Sequence, residues 1–339
     1  MSATPDAELR ARSRAEKIVP GIWRLRVPVP WPGVPHVNAW VIESDHGPTL
    51  VDTGIGGPGG MLQLESALAA AGYRIEQIVQ VVCTHSHADH FGLAGPIVER
   101  ASCPLWAHPS WAHIRRLASD PEGALLRRLE VARQSGVPIA ALERYKESSR
   151  SAPKTFDLIG EPDHELINGV EIETGLGTWQ VYETPGHAPS HVVLHHPERR
   201  LMLSGDHLLG RVLAFFDYGH TPDPVGEFLE SLEVVRPLVT DLCLSGHGRP
   251  FRDIEVKIEA NREMISGQLD GIRSALGDGA RTGYEVVAGL LAAGGVELSP
   301  ATAAWGLQVV LSLLDHLEVR GEISSEDDGD ERIWGLVKS

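Results

Sequence analysis

The apolar positions run in two grains. Up to about residue 254 short apolar runs alternate with helical spacings; beyond it the helical period dominates. Residues 22–29 and 38–42 alternate enough to predict strands. Between them lies Pro28-Val29-Pro30-Trp31-Pro32-Gly33-Val34-Pro35. Each proline lacks an N–H, so this segment predicts a loop carrying Trp31 and His36 rather than a central strand. Residues 49–51 predict a short strand ending in Asp52-Thr53-Gly54, followed by a helix over 61–71 that stops at Gly72. The apolar run 78–83 reads as a buried strand, 92–100 as a helix and 104–107 as a further strand. Residues 109–154 change to helical spacing, rich in arginine. Strands resume over 165–167, 170–173 and 179–183, with Asn168-Gly169 as a tight-turn signal, and again over 192–194 and 200–204. A helix over 225–236 leads to a strand over 241–244. The tail predicts helices over 256–276, 283–291 and 300–317 and a terminal hairpin, together a small winged-helix-like module. Strands alternating with helices predict an α/β fold, a mixed sheet with helices packed on it.

Several of these strands end in the same chemistry. The run over 78–83 delivers Thr84-His85-Ser86-His87-Ala88-Asp89-His90. Later strands end in Thr184-Pro185-Gly186-His187, Ser204-Gly205-Asp206 and Ser245-Gly246-His247-Gly248. Imidazole and carboxylate donors at this density suit a cation of borderline softness such as Zn²⁺. The glycines after Asp52 form no phosphate-binding loop, since GxxxxGK[ST] is absent.

With Val51-Asp52-Thr53-Gly54, these five motifs resemble the metallo-β-lactamase-fold hydrolases, in the family's order and over residues 51–248. The resemblance implies a four-layer αβ/βα sandwich of two mixed sheets with two divalent ions at the sheet edge. Zn is the expected ion, with Fe or Mn the alternatives. His85, His87 and His187 would bind the first and Asp89, His90 and His247 the second, with Asp206 bridging. Two such ions can share one water and lower its pKa toward neutrality, giving a hydroxide nucleophile. Asp89 is the candidate to carry a proton to the leaving group. Asp52 and His191 are candidates to orient the ligands, with Thr84 and Thr184 weaker ones, and His207 is expected to point away. His36, Tyr218 and His220 are candidates for the substrate pocket, Tyr218 as an oxyanion donor. Where β-lactamases of this fold often carry cysteine, the bridging position here is Asp206, which argues against antibiotic hydrolysis.

Composition narrows the substrate. At 339 residues, with 42% hydrophobic and 22% charged positions, the chain suits one large core plus a smaller module. The division expected is a flexible arm over 1–17, a hydrolase domain over 18–254 with a helical cap over 111–154, and the winged-helix-like domain over 255–339. No apolar run reaches the length of a membrane span, and the start lacks the apolar core of a secretory signal. Three cysteines without a CxxC pair imply no disulfide framework and a reducing cytoplasm. The net charge is −16, and residues 255–339 hold 7 Lys/Arg against 15 Asp/Glu. A nucleic-acid wing would be basic. The tail is therefore expected to pack beside the site, shape the pocket or pair two copies of the chain as a homodimer. The cap arginines, among them Arg115, Arg127, Arg133 and Arg150, are candidates to meet an anionic acyl substrate. The expectation is hydrolysis of a thioester or lactone. The alternatives are a phosphodiesterase or endoribonuclease on the same site, and a non-catalytic metal-binding regulator.

Overall fold

The computed structural model describes residues 14–31, 33–156, 158–213, 215–295 and 300–337. The first sheet has seven strands in chain order: β1 (Arg14–Val19), β2 (Ile22–Trp31), β3 (Val34–Ile42), β4 (Thr49–Val51), β5 (Gln80–Val82), β6 (Leu105–Ala107) and β7 (His164–Glu165). It is antiparallel from β1 to β4 and parallel from β4 to β7. The crossovers carry α1 (Gly60–Ala70), α2 (Ala88–Phe91), α3 (Ala94–Ala101), α4 (Ala112–Ser119), α5 (Pro121–Gln134) and α6 (Ile139–Ser151). The second sheet is ordered β12-β11-β10-β9-β8. These strands are β8 (Glu171–Thr174), β9 (Gly177–Glu183), β10 (Val192–His196), β11 (Leu201–Gly205) and β12 (Leu242–Ser245), and α7 (Pro224–Val235) links β11 to β12. The tail holds α8 (Ile254–Gly277), β13 (Arg281–Thr282), α9 (Gly283–Ala293), α10 (Pro300–Val319), β14 (Ile323–Asp328) and β15 (Glu331–Leu336). Its three strands form a separate sheet.

Alternation along the strands sorts the side chains into layers. Leu25, Val27, Val41 and Val81 face α1 and α3 on the outside of the first sheet. Ile22, Trp40, Val82, Trp179, Leu194 and Leu244 fill the space between the sheets. Val193, Met202 and Cys243 face outward from the second sheet onto α7. The same apolar cluster runs on into Ile258, Ile265, Leu314 and Trp334 of the tail. The sandwich is therefore four-layered, and the tail shares its outer core.

Three local expectations change. Residues 28–31 and 34–36 are no loop: β2 and β3 run through them, pairing Pro28 with His36 and Trp31 with Val34. A register shift between Pro28 and Trp31 accommodates Pro30 in a bulge, so no ladder N–H is required of it. Asn168-Gly169 closes no hairpin, because β7 belongs to the first sheet and β8 to the second; the turn carries the chain between layers. Of the expected arm, residues 1–13 lie outside the described residues, while 14–17 begin edge strand β1. Among the described residues no helix is long and apolar enough to cross a membrane.

The carboxyl ends of β4, β5, β9, β11 and β12 meet at one edge of the sandwich, and backbone bonds tie them together. Val192 N–H donates to Thr84 O at 2.8 Å, Gly246 N–H to Gly205 O at 2.7 Å, and Asn38 N–H to Gly246 O at 2.7 Å. Two glycines permit the approach. A Cβ on Gly246 would stand 2.2 Å from Asp206 Oδ1, and one on Gly205, at φ +48°, would stand 2.6 Å from His191 Nε2.

Candidate metal centre

The site is assembled from five strand ends. Asp52 follows β4, and His85, His87, Asp89 and His90 follow β5. His187 follows β9, Asp206 follows β11 and His247 follows β12. Asp89, His90, His85 and His187 are buried, and Asp206 and His247 nearly so. His85 Nε2 and His187 Nε2 lie 3.1 and 3.0 Å from His87 Nδ1. His247 Nε2 lies 3.1 Å from Asp89 Oδ2 and 3.2 Å from Asp206 Oδ2. His90 Nε2 is 3.5 Å from both Asp89 Oδ2 and Asp206 Oδ1. Donors around one tetrahedral cation at about 2.0–2.1 Å stand roughly 3.3 Å apart. These gaps match that spacing, and the groups His85/His87/His187, His85/His90/Asp206 and Asp89/His90/His247 could each hold an ion.

Each imidazole is oriented from behind. His90 Nδ1–H donates to Asp52 Oδ2 at 2.8 Å. Thr84 Oγ1–H donates to the same carboxylate, so its oxygen accepts from His85 Nδ1–H at 3.1 Å. His187 Nδ1–H donates to Phe215 O at 3.0 Å, and His247 Nδ1–H to His36 O at 2.9 Å. His87 is reversed: its Nε2–H donates to Asp217 Oδ2 at 2.9 Å, leaving Nδ1 inward. In all five rings one nitrogen is spent on the protein, and the other faces the shared space.

The electrostatics fit a cation. Burial opposes charge on His247, but Asp206 and Asp89 outweigh it and carry the imidazole up to about 10. Burial likewise opposes charge on His90, and Asp89, Asp206 and Asp52 raise it well above the usual range. His187, desolvated and beside His87, drops to about 4. The carboxylates thus attract positive charge to this space, and a divalent ion answers the same demand. His90 Nε2 and Asp206 Oδ1 are buried without a hydrogen-bond partner. An unsatisfied buried polar atom costs about 1–3 kcal/mol, a cost that coordination would remove.

The remaining candidates divide. Asp52 stands behind both His85 and His90, with Thr84 as intermediary. His191 backs Asp206: Asp206 N–H donates to His191 Nε2 at 3.0 Å, so Nδ1 carries the proton and donates to Thr184 Oγ1 at 2.8 Å. His207 packs against Phe228 with both nitrogens buried, outside the three cation groups. His36 lies behind His247 with its ring partly buried. Tyr218 packs into the core shared with the tail, beside Asp315 and Arg332, and His220 is exposed. Neither stands with the clustered donors. Pattern reading passed over Asp217, although it sits between Phe216 and Tyr218 in the segment already marked for the pocket. Its signal was a lone carboxylate among aromatic residues. Asn38 was missed as well. It donates to Ser245 O at 2.8 Å and Gly248 O at 3.0 Å, holding the His247 turn against β3.

The model of the metallo-beta-lactamase superfamily matches residues 32–247. The chain belongs to that superfamily, and its class is that of the superfamily's metal-dependent hydrolases. It is 28% identical over 326 residues to the "Probable metallo-hydrolase YqjP" of Bacillus subtilis (strain 168), covering 93% of this chain and 97% of the relative. Among solved structures it superposes on metallo-beta-lactamase family protein TTHA1429 from Thermus thermophilus with a TM-score of 0.79. That match has 24% identity and covers 94% of this chain and 100% of the other. A beta-lactamase domain protein from Burkholderia ambifaria gives a TM-score of 0.81 at 24% identity, covering 95% and 94%. Matches that wide take in most of the tail as well as the sandwich.

Proposed function

We propose that the chain hydrolyses an ester-like carbonyl, a thioester or a lactone, with two divalent cations. The observation that carries this reading is the common orientation of the five imidazoles. His85, His87 and His187 would hold one ion and Asp89, His90 and His247 the other, with Asp206 between them. When bound, such a pair supplies Lewis acidity and lowers the pKa of a shared water. Asp52, Thr84, Asp217 and the carbonyls of His36 and Phe215 keep the imidazoles aimed. Asp89 Oδ2, at the hydrogen-bonding distance from His247 noted above, is the group placed to pass a proton to the departing thiolate or alkoxide. The nitrogen and oxygen donor set suits Zn, with Fe or Mn as alternatives.

The acyl reading rests on the tail, whose β14–β15 hairpin carries Glu326, Asp327, Asp328, Asp330 and Glu331 outward. A surface of that sign repels a nucleic-acid backbone. The three free thiols support a cytoplasmic setting. The tail is read as a winged-helix-like domain that shapes the site and offers a face for a second copy. The helices over 111–154 are read as its cap: Trp111 stacks on Phe91 with ring centroids 6.2 Å apart, next to His90.

Turnover of a panel of acyl thioesters, lactones, bis(p-nitrophenyl) phosphate and single-stranded RNA by one metal-analysed preparation tests the reading. Turnover of the acyl substrates that EDTA abolishes and Zn²⁺ or Mn²⁺ restores is the expected result. Turnover confined to the phosphodiesters would replace this reading with nuclease chemistry.

A further inference from the structure

A cluster of cations lies beside His247 in a chain whose net charge is −16. Arg24 and Arg26 sit two apart on β2, so both point from the same face of the strand. Opposite them on β1 the register places Glu16 against Arg24 and Arg14 against Arg26. On the other side Pro28 pairs with His36. The Arg24 side chain is 6% exposed, donates Nη1–H to Gly248 O at 2.9 Å and pairs Nη2 with Glu16 at 2.5 Å. Its hold on Gly248 brings the neighbouring Arg249 to the same place. Burial lowers the proton affinity of Arg24 and Arg26 most; Glu16 raises both, and Arg249 lowers both by a smaller amount. Arg26 and Arg249 have no ion-pair partner among the described residues.

Several polar atoms here are buried and unspent. Arg24 Nε, Arg26 Nε and both nitrogens of His36 lack a hydrogen-bond partner. The His36 imidazole, desolvated and facing Arg26, His247 and Arg24, is pushed down to about 4. Like charges directly across strands destabilise a sheet, and a buried unsatisfied donor costs free energy. Glu16 is already engaged with Arg24. An arrangement that keeps uncompensated guanidinium groups together at the edge of a site, in an acidic protein, fits an anion supplied from outside. A planar guanidinium matches a carboxylate or a phosphate with two parallel bonds.

We propose that Arg24, Arg26, Arg249 and His36 form the pocket for an anionic group of the substrate, a carboxylate or a phosphate, on the His247 side of the centre. The proposal rests on the hydrolase reading above and sharpens it: the acyl substrate is charged. Among the arginines of the helices over 111–154, Arg115 pairs with Glu161, Arg127 with Asp120, Arg133 with Glu130 and Arg150 with Glu122, so those four are already engaged.

The test compares wild type with the Arg26→Gln/Arg249→Gln double variant. Arg24 is left in place because it anchors Gly248. Three thioesters are used: neutral acetyl-N-acetylcysteamine, succinyl-N-acetylcysteamine with a carboxylate on the acyl side, and acetyl-coenzyme A with phosphates on the thiol side. The expected result is that the ratio of KM for one charged thioester to KM for the neutral one rises about tenfold in the variant, as loss of a charge-assisted hydrogen bond implies. Which charged thioester responds tells carboxylate from phosphate. Unchanged ratios for both would overturn the proposal. Calorimetric titration with inorganic phosphate is independent of turnover. Wild type is expected to bind one phosphate more than the variant, and equal numbers would overturn the pocket. If wild type turns over none of the three thioesters, the thioester reading fails, and the phosphate titration still decides the pocket.

Discussion

At the scale of single residues, the candidate site is a set of aimed ring nitrogens, and the groups that aim them are testable one by one. Asp217 holds His87 through Nε2 and leaves Nδ1 inward. Its replacement by alanine frees the ring to turn, so metal affinity, read by competition with a chromogenic chelator, is expected to fall roughly 10- to 100-fold. Unaltered affinity would remove Asp217 from the account. Asp52 is 1% exposed and serves both His90 and Thr84. Asp52→Ala is therefore expected to cost stability as well as metal, lowering Tm even in chelator-treated protein. Asp52 was legible in the sequence because it ends a strand beside the histidine motif. Asp217 was not, because a loop has no period to say which way its side chains turn. The buried arginines of β2 were hidden for another reason: alternation marks positions 24 and 26 as one face, but not which layer that face meets.

At the scale of elements, the segment over 215–223 joins the centre to the tail. Phe215 and Asp217 touch the clustered imidazoles, Tyr218 packs into the tail's core, and Asp223 accepts from His316 Nδ1 at 2.9 Å. Nearby, burial and Glu318 raise Asp315 to about 7 from an ordinary 3.8, against the pull of Arg332. The folded state therefore favours the protonated acid. That contribution to stability is complete below about pH 4 and is lost as pH rises through about 7. Wild type is expected to lose more of its unfolding midpoint between about pH 5 and pH 8 than Asp315→Asn, which stays neutral throughout; parallel profiles would contradict this. The helices over 111–154 were legible from their 3.6-residue period. Their anchorage was not: Tyr284 N–H donates to Ser135 O at 2.8 Å and Arg133 reaches Asp330, so α5 is tied to the tail.

At the scale of the molecule, sandwich and tail share one outer core, a fact no local pattern contains. Ile258, Ile265, Leu269 and Ile272 of α8 are buried in the cluster that also holds Val193 and Met202. At about 1.5–3 kcal/mol for each buried side chain, these four alone contribute roughly 6–12 kcal/mol, comparable with the whole net stability of about 5–15 kcal/mol for a typical domain. A chain ending at residue 254 is expected not to fold stably, and the full chain to unfold in one transition in urea. Separate transitions for sandwich and tail would refute the shared core. The architecture itself was readable through the resemblance, since the five motifs stand in the family's order. The path of β2 and β3 through the prolines was not, because a bulge removes the penalty that local rules assign. All of this converges on a space lined by His85, His87, Asp89, His90, His187, Asp206 and His247. Its most direct test is the divalent metal content of the purified chain by mass spectrometry. The account predicts two ions per chain, reduced in Asp206→Ala. A wild-type chain that takes up one ion or none when supplied with Zn²⁺, Fe²⁺ or Mn²⁺ would contradict it.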